Sequence, residues 1–353
     1  MRSDTDEARR WLSEGVGVGR AVLVRSAGSS PFEVGSTLLV ADDGRIAGSV
    51  SAGCMEGAAV EAVHAARRGG YREIVRYGVT DERAAEVGLS CGGVIEVLVE
   101  PELPDEVLRA AEEDRAWALA SLLPIGREAA LVAQVVIDET GIRSGSLGDA
   151  QADTDLAVIA RATLEAGASR TVLVAGRPVY IEVHVPKRLV IVGAGEVAVH
   201  LVRLAHAFGF TTVVVDARSA FLTRERFPSA DVLLAGWADE MTQTAGVDHD
   251  ACVVALAHDP KFDDPAIVAG LRGGARYVGV LGSRRSHAAR LARLREAGVS
   301  DAQLARIHAP IGLDLGGHRP SDIALGILAE IVTEDNRRLR ASGQQQEVSA
   351  AGA

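Results

Sequence analysis

Lysine is nearly absent from this chain: Lys187 and Lys261 are the only two among its 37 cationic residues, and arginine supplies the rest. Acidic residues number 48, which gives a formal net charge of −11, with the two signs interspersed along the chain. A non-specific nucleic-acid binder needs a basic face, so no nucleic-acid partner is expected. Cysteine is scarce as well. Cys54, Cys91 and Cys252 form no C-x-x-C pair, which argues against a disulfide framework or a structural zinc site. Long apolar runs are missing: the longest, such as 251–257, is far too short to cross a bilayer. The opening Met1-Arg2-Ser3-Asp4-Thr5-Asp6-Glu7 carries charge where a signal peptide has an apolar core. The expectation is a cytoplasmic protein with no membrane partner.

What the sequence does contain is glycine at turns and many short apolar runs. At 353 residues it can bury two full-sized cores. The first half is rich in strand signals, at 21–24, 37–40, 46–50, 73–77 and 94–99. Ala41-Asp42-Asp43-Gly44, Glu139-Thr140-Gly141 and Ala175-Gly176 mark hairpin turns. Helical spacing predicts helices from Ala58 to the Gly69-Gly70 stop, over 105–123 and over 149–166. The fold class expected is α/β: a mixed α+β domain over 1–185, then a doubly wound domain over 187–335. The Gln- and Ala-rich stretch 336–353 reads as a frayed tail.

The second domain starts with a four-residue apolar strand, 189–192, that runs into Gly193-Ala194-Gly195-Glu196-Val197-Ala198. Gly193 suits a tight strand-to-helix turn, Gly195 lets backbone approach a pyrophosphate, and Ala198 lets the helix pack on the strand. A second strand ends at Asp216, at about the 20-residue distance from which an acid reaches a ribose hydroxyl. Strand, glycines, helix, strand and acid in register read as a Rossmann-type domain. Its later strands fall at 232–235, 252–257, 277–281 and 306–309. Ligands bind such sheets at the carboxyl ends of the strands. Those ends carry Gly193, Ala194, Gly195 and Glu196, then Asp216 and Arg218, then His258 and Asp259, then Gly282, Ser283, Arg284 and Arg285.

Each candidate has a structural reading beside the functional one. Gly282-Ser283-Arg284-Arg285 suits a phosphate, or is a solvated arginine pair at a helix start. His258-Asp259 is an acid/base pair, or an Asx-Pro turn, and the turn is favoured. Arg218 is placed to accept a 2′-phosphate in place of the ribose hydroxyl that Asp216 would take. Cys54 follows Gly53 and opens a helical pattern, where the helix dipole favours thiolate. Glu56 in that first turn opposes this, and the alternative is a buried structural thiol. Cys91 sits in a loop before Gly92-Gly93, and Cys252 lies inside an apolar strand and reads as core.

Several segments together are similar to the xanthine dehydrogenase accessory family, XdhC/CoxI. They are Gly28-Ser29-Ser30-Pro31, Gly48-Ser49-Val50-Ser51-x-Gly53-Cys54-x-Glu56-Gly57 and Cys91-Gly92-Gly93-x-Ile95-Glu96-Val97 in the first domain. In the second they are Val192-Gly193-Ala194-Gly195, Val215-Asp216-x-Arg218 and His258-Asp259-Pro260-Lys261-Phe262-Asp263-Asp264-Pro265. Tyr277-Val278-Gly279-x-Leu281-Gly282-Ser283-Arg284-Arg285 and His308-Ala309-Pro310-Ile311-Gly312-Leu313-Asp314 complete the set. The resemblance implies an accessory protein that binds molybdenum cofactor, as molybdopterin or its dinucleotide, and assists its sulfuration. It would deliver the cofactor to a client molybdenum hydroxylase of the xanthine or carbon monoxide dehydrogenase type. It also implies Cys54 and Cys91 as candidate molybdenum or sulfur contacts, a cysteine desulfurase as partner, and a homodimer. The rival reading from the residues alone is an NAD(P)-dependent oxidoreductase. Glu196 is a departure from the family pattern, where His is common, and its carboxylate competes with a pyrophosphate for the same donors.

Overall fold

The structure, a computed structural model, describes residues 2–27, 32–51, 53, 55–78, 93–110, 115–129, 133–241 and 244–350. The chain divides into two compact units, Met1–Val185 and Pro186–Ala353. Among the described residues no helix is long and apolar enough to cross a membrane.

In chain order the strands of the first unit are β1 (Val18–Ala27), β2 (Thr37–Ala41), β3 (Ile46–Gly48), β4 (Tyr71–Tyr77), β5 (Val94–Glu100), β6 (Trp117–Leu122), β7 (Glu128–Ala129), β8 (Gln134–Asp138), β9 (Gly141–Gly145), β10 (Arg170–Val174) and β11 (Arg177–His184). They form two antiparallel sheets, ordered β3-β2-β1-β5-β4-β7 and β10-β11-β6-β8-β9. The three hairpins expected from their turn residues form: β2 pairs with β3, β8 with β9, and β10 with β11. The helix Glu56–Gly69 lays Ala59, Val63 and Ala66 on Leu23, Leu38 and Val97 of the first sheet. The helix Ala150–Ala166, capped by the Asp149 carboxylate on the Ala152 amide, covers the second sheet with Leu156 and Ala160. The other faces of the two sheets meet through Val22, Val24, Leu98, Leu123 and Tyr180.

Charge is buried within this unit. Arg20 Nε lies 2.6 Å from Glu100 and Nη2 3.0 Å from Glu182, while Arg72 Nη2 lies 2.7 Å from Glu100. All four side chains are at most 4% exposed. Burial alone would push Glu182 up, but Arg20 and His184 hold its carboxyl at about 2. Two cations against two anions leave the network close to neutral, which is how charge survives out of water.

One expected helix is corrected. Among the described residues of 105–123, only Asp105–Ala110 is helical; Trp117–Leu122 is β6, a central strand with every residue buried. Buried on both faces, it lacks the alternation that marks a half-exposed strand, and its Ala and Leu content favours helix.

The second unit is one parallel sheet of β12 (Arg188–Val192), β13 (Thr211–Asp216), β14 (Val232–Ala235), β15 (Ala251–Ala255), β16 (Tyr277–Val280) and β17 (Ile307–His308), ordered β14-β13-β12-β15-β16-β17. Two helices, Glu196–Ala207 and Pro320–Ala350, pack on one face, with Ala324, Ile327, Leu328 and Ile331 buried as the sequence spacing requires. Pro260–Arg272 and Arg284–Glu296 cover the other through Ala266, Ile267, Leu271 and Leu294. The last helix continues to Ala350, through residues whose polarity suggested a frayed tail. Ala, Gln, Glu, Arg and Leu there are good helix formers, so propensity extends the helix beyond its buried face.

Candidate cofactor crevice

The sheet order reverses between β12 and β15, so the crevice lies at their carboxyl ends. Gly193 ends β12 with φ +107, and a Cβ there would sit 2.7 Å from the Ala257 nitrogen. Only glycine fits both the backbone angle and that approach. Its N–H donates to Val215 O at 2.8 Å, and the Leu256 N–H donates to Val192 O at 2.7 Å, tying the three central strands at this edge. Ala194 and Ala198 are fully buried, and Gly195 caps the helix Glu196–Ala207.

Asp216 ends β13, but its carboxylate does not face an empty ribose site. Oδ2 accepts the Ala194 N–H at 2.8 Å and Arg218 Nη2 at 2.7 Å; Oδ1 accepts the Arg218 backbone N–H at 2.8 Å and Nε at 2.9 Å. The residue is 1% exposed. Burial opposes its charge, yet the Arg218 guanidinium and these amides hold the carboxyl below its usual range. Glu196 is likewise engaged. Arg226 Nη2 donates to Glu196 Oε1 at 2.9 Å, and Arg226 Nη1 donates to the carbonyls of Ala194 and Phe221, each at 2.9 Å. Arg218 and Arg226 stand 4.5 and 5.3 Å from the ring centre of the exposed Phe221.

At the end of β15 His258 is exposed and takes a left-handed φ of +60. Asp259 caps the helix Pro260–Arg272, accepting the Lys261 N–H at 3.0 Å, with Pro260 at the first helical position. Asp263 in that first turn is fully buried and accepts the Ala257 N–H at 3.1 Å. Burial pushes its carboxyl up to about 6.

At the end of β16 Ser283 caps the helix Arg284–Glu296. Its hydroxyl accepts the Ser286 N–H at 3.2 Å, and its own N–H donates to Ser286 Oγ at 2.9 Å. Both Ser283 groups expected to meet a phosphate are therefore turned inward on the cap. Arg284 and Arg285 remain exposed.

In the first unit Glu56 gathers a turn. Its carboxylate accepts the hydroxyls of Ser49 and Ser51, the Ser51 N–H at 3.0 Å and the Met55 N–H at 3.2 Å. Burial opposes the charge, and these hydrogen bonds overcome it, holding the carboxyl at about 2. So acidic a group does not serve as a proton donor near neutral pH. The helix itself starts at Glu56, with Met55 as its cap. Cys54 and Cys91 lie outside the described residues. Cys252 is core, as its apolar strand indicated: it is fully buried, and burial pushes its thiol up to about 11.

Sequence reasoning missed Arg226, Phe221, Asp263 and Arg290. Asp263 stood inside a family motif with no role assigned. The arginines act across gaps of tens of residues, for which the chain carries no periodic signal.

A parallel sheet in this order, with a glycine turn at the point of reversal, defines a nucleotide-binding fold of the Rossmann type. Residues 189–331 match the XdhC Rossmann domain, and residues 11–78 match the XdhC and CoxI family. The chain belongs to the XdhC and CoxI family. It is 28% identical over 326 residues to a probable xanthine dehydrogenase subunit of Bacillus subtilis, covering 90% of this chain and 93% of that one. Identity to the molybdenum cofactor insertion chaperone PaoD of Escherichia coli is 28% over 323 residues, covering 91% and 85%. A crystal structure described as a xanthine dehydrogenase from Bacillus halodurans shares the fold, with a TM-score of 0.76, 21% identity, and coverage of 95% and 96%.

Proposed function

We propose that the protein is an accessory factor for a molybdenum hydroxylase. It binds molybdenum cofactor in the cytoplasm, assists its sulfuration, and supports its insertion into a client of the xanthine or carbon monoxide dehydrogenase type. The observation that carries this reading is the likeness to an insertion chaperone along 91% of the chain. The crevice supports binding over turnover: Asp216, Asp259 and Ser283 are committed to bracing and capping.

The phosphate-bearing end of such a cofactor suits the carboxyl edge of the second unit, where Arg284 and Arg285 are exposed at the start of a helix. The pyrophosphate of a dinucleotide suits the first turn less well, because Asp216 already takes the Ala194 N–H. When bound, the cofactor supplies molybdenum and its sulfur; the chain binds and orients it. Cys54 and Cys91 are proposed as the thiolate contacts, soft donors suited to that metal, and Glu56 holds Ser49, Ser51 and Met55. A cysteine desulfurase as sulfur source and a homodimer belong to the same proposal.

The glycine turn at β12 favours one other reading, an NAD(P)-dependent oxidoreductase. Incubating the pure protein with molybdenum cofactor or with NAD(P)H, then measuring what survives desalting, separates the two. Retained molybdenum cofactor that disappears in Cys54→Ser, together with loss of client maturation, is the expected result. Retention of NAD(P)H alone would replace the carrier with a dehydrogenase.

A further inference from the structure

The turn that ends β16 covers a cation with idle donors. Gly282 has φ +149, and a Cβ there would meet Ser286 Oγ at 2.8 Å and the Arg290 nitrogens Nη1 and Nη2 at 3.6 and 3.7 Å. Arg290 is 6% exposed, so its guanidinium lies beneath the turn. Nη2 donates to Leu281 O at 3.3 Å. Nε and Nη1 have no hydrogen-bond partner among the described residues. The nearby acids are Asp263, 3.7 Å from Nη2, and Asp264, 3.7 Å from Nε. These distances are too long for hydrogen bonds. Asp264 is already held by Arg293 at 2.6 and 3.1 Å, whereas Asp263 Oδ2 has no hydrogen-bond partner among the described residues.

A buried guanidinium with idle donors is costly unless something completes it. Its fork matches a tetrahedral oxyanion, and the 13-residue helix starting at Arg284 adds its positive end at the same turn. We propose that the turn at 282–285 is a subsite for a tetrahedral dianion of the sulfate or phosphate-ester class, anchored by Arg290, with Asp263 as the internal counter-ion that the incoming anion displaces. This rests on the binding reading of the crevice and names the side chain that takes the phosphate.

The test is calorimetric titration of the full chain with sulfate, inorganic phosphate and a nucleoside monophosphate. Asp263→Asn removes the competing charge while keeping an acceptor for Ala257, and should tighten sulfate binding by about tenfold. Arg290→Met combined with Asp263→Asn leaves a neutral pair that melts cooperatively and loses sulfate binding. A pH series is the third arm, because sulfate keeps its charge throughout. Affinity should rise as pH falls through about 6, where burial places Asp263, and should stay flat in Asp263→Asn. The other titratable or charged groups about the turn are Asp259 and Asp264 on one helix, and Arg284, Arg285, His287 and Arg293 on the other. Burial and Arg290 hold His287 below its ordinary value, and any rise it caused would persist in Asp263→Asn.

Unchanged or weaker sulfate binding in Asp263→Asn overturns the proposal, as does sulfate binding by the neutral pair. If that pair fails to fold, the single variant and its pH series decide. A nucleoside monophosphate binding no tighter than inorganic phosphate would assign the subsite to the free ion. Normal sulfate behaviour without molybdenum cofactor retention would sink the accessory reading and leave this subsite standing.

Discussion

Replacing Asp216 should damage stability more than it damages nucleotide binding. The carboxylate is 1% exposed and accepts the Ala194 N–H at 2.8 Å, so Asp216→Ala leaves a buried amide without a partner. That costs about 1–3 kcal/mol. Arg218 is 52% exposed, so losing the pair adds at most about 1 kcal/mol. The sum is about 1–4 kcal/mol, read as a lowered urea midpoint for the second unit with an unchanged slope. Asp216→Asn keeps one acceptor for Ala194 but turns an amide towards Arg218, and should fall between. The pH dependence has a fixed sign. The folded pKa is lowered, so the stabilisation is present above the unfolded value of about 4 and is lost as pH falls through the folded value below it. NADH affinity, measured by fluorescence, should not change in Asp216→Asn, since neither oxygen is free for a ribose. Wild-type stability in Asp216→Ala, with a tenfold loss of NADH affinity in Asp216→Asn, would refute the brace.

Glu56→Gln should cost about 1–3 kcal/mol by loosening the acceptor set on Ser49, Ser51 and Met55. With a folded pKa of about 2, the wild-type contribution is full above about pH 4.3 and fades towards pH 2, an acid limb that the Gln variant should lack in chemical denaturation. Cys252→Ser buries a hydroxyl in β15 and should lower stability by roughly 1–3 kcal/mol, with ligand retention after desalting unchanged. Glu182→Ala leaves two buried cations, Arg20 and Arg72, against Glu100 alone in the core of the first unit and should cost about 3–5 kcal/mol, seen as a lowered melting temperature.

The parts of this fold that the sequence displays are those with a local cause. Turn pairs such as Ala175-Gly176 mark hairpins because few residues accept that backbone. The stretch from Leu189 to Asp216 declares its strand, turn and helix because the glycine that ends β12, Gly193, has a steric job. The last helix shows its buried face at 323, 324, 327, 328, 331 and 332. Trp117–Leu122 hides, because a strand covered on both sides has no alternation to display. The site was legible as a set of loops and illegible as a set of bonds. Asp216 stood at the right spacing for a ribose, yet Arg218, two residues on, reaches back and takes both of its oxygens. Arg226 meets Glu196 from 30 positions away, and Arg290 meets Asp263 on a neighbouring helix. Pairings of that kind exist only once the sheet has assembled.

The buried charges of the first unit also set an order of events on the ribosome. Arg20 in β1 finds Glu100 only 80 residues later and Glu182 only 162 residues later. Until β11 has left the exit tunnel, a guanidinium destined for the interior has half of its partners, and the first sheet has nothing neutral to close upon. The amino-terminal half should therefore wait, open and accessible to chaperones and proteases, until nearly all of its 185 residues are present. Fragments that stop short of His184 should then be degraded in the cell, while one ending at Val185 survives.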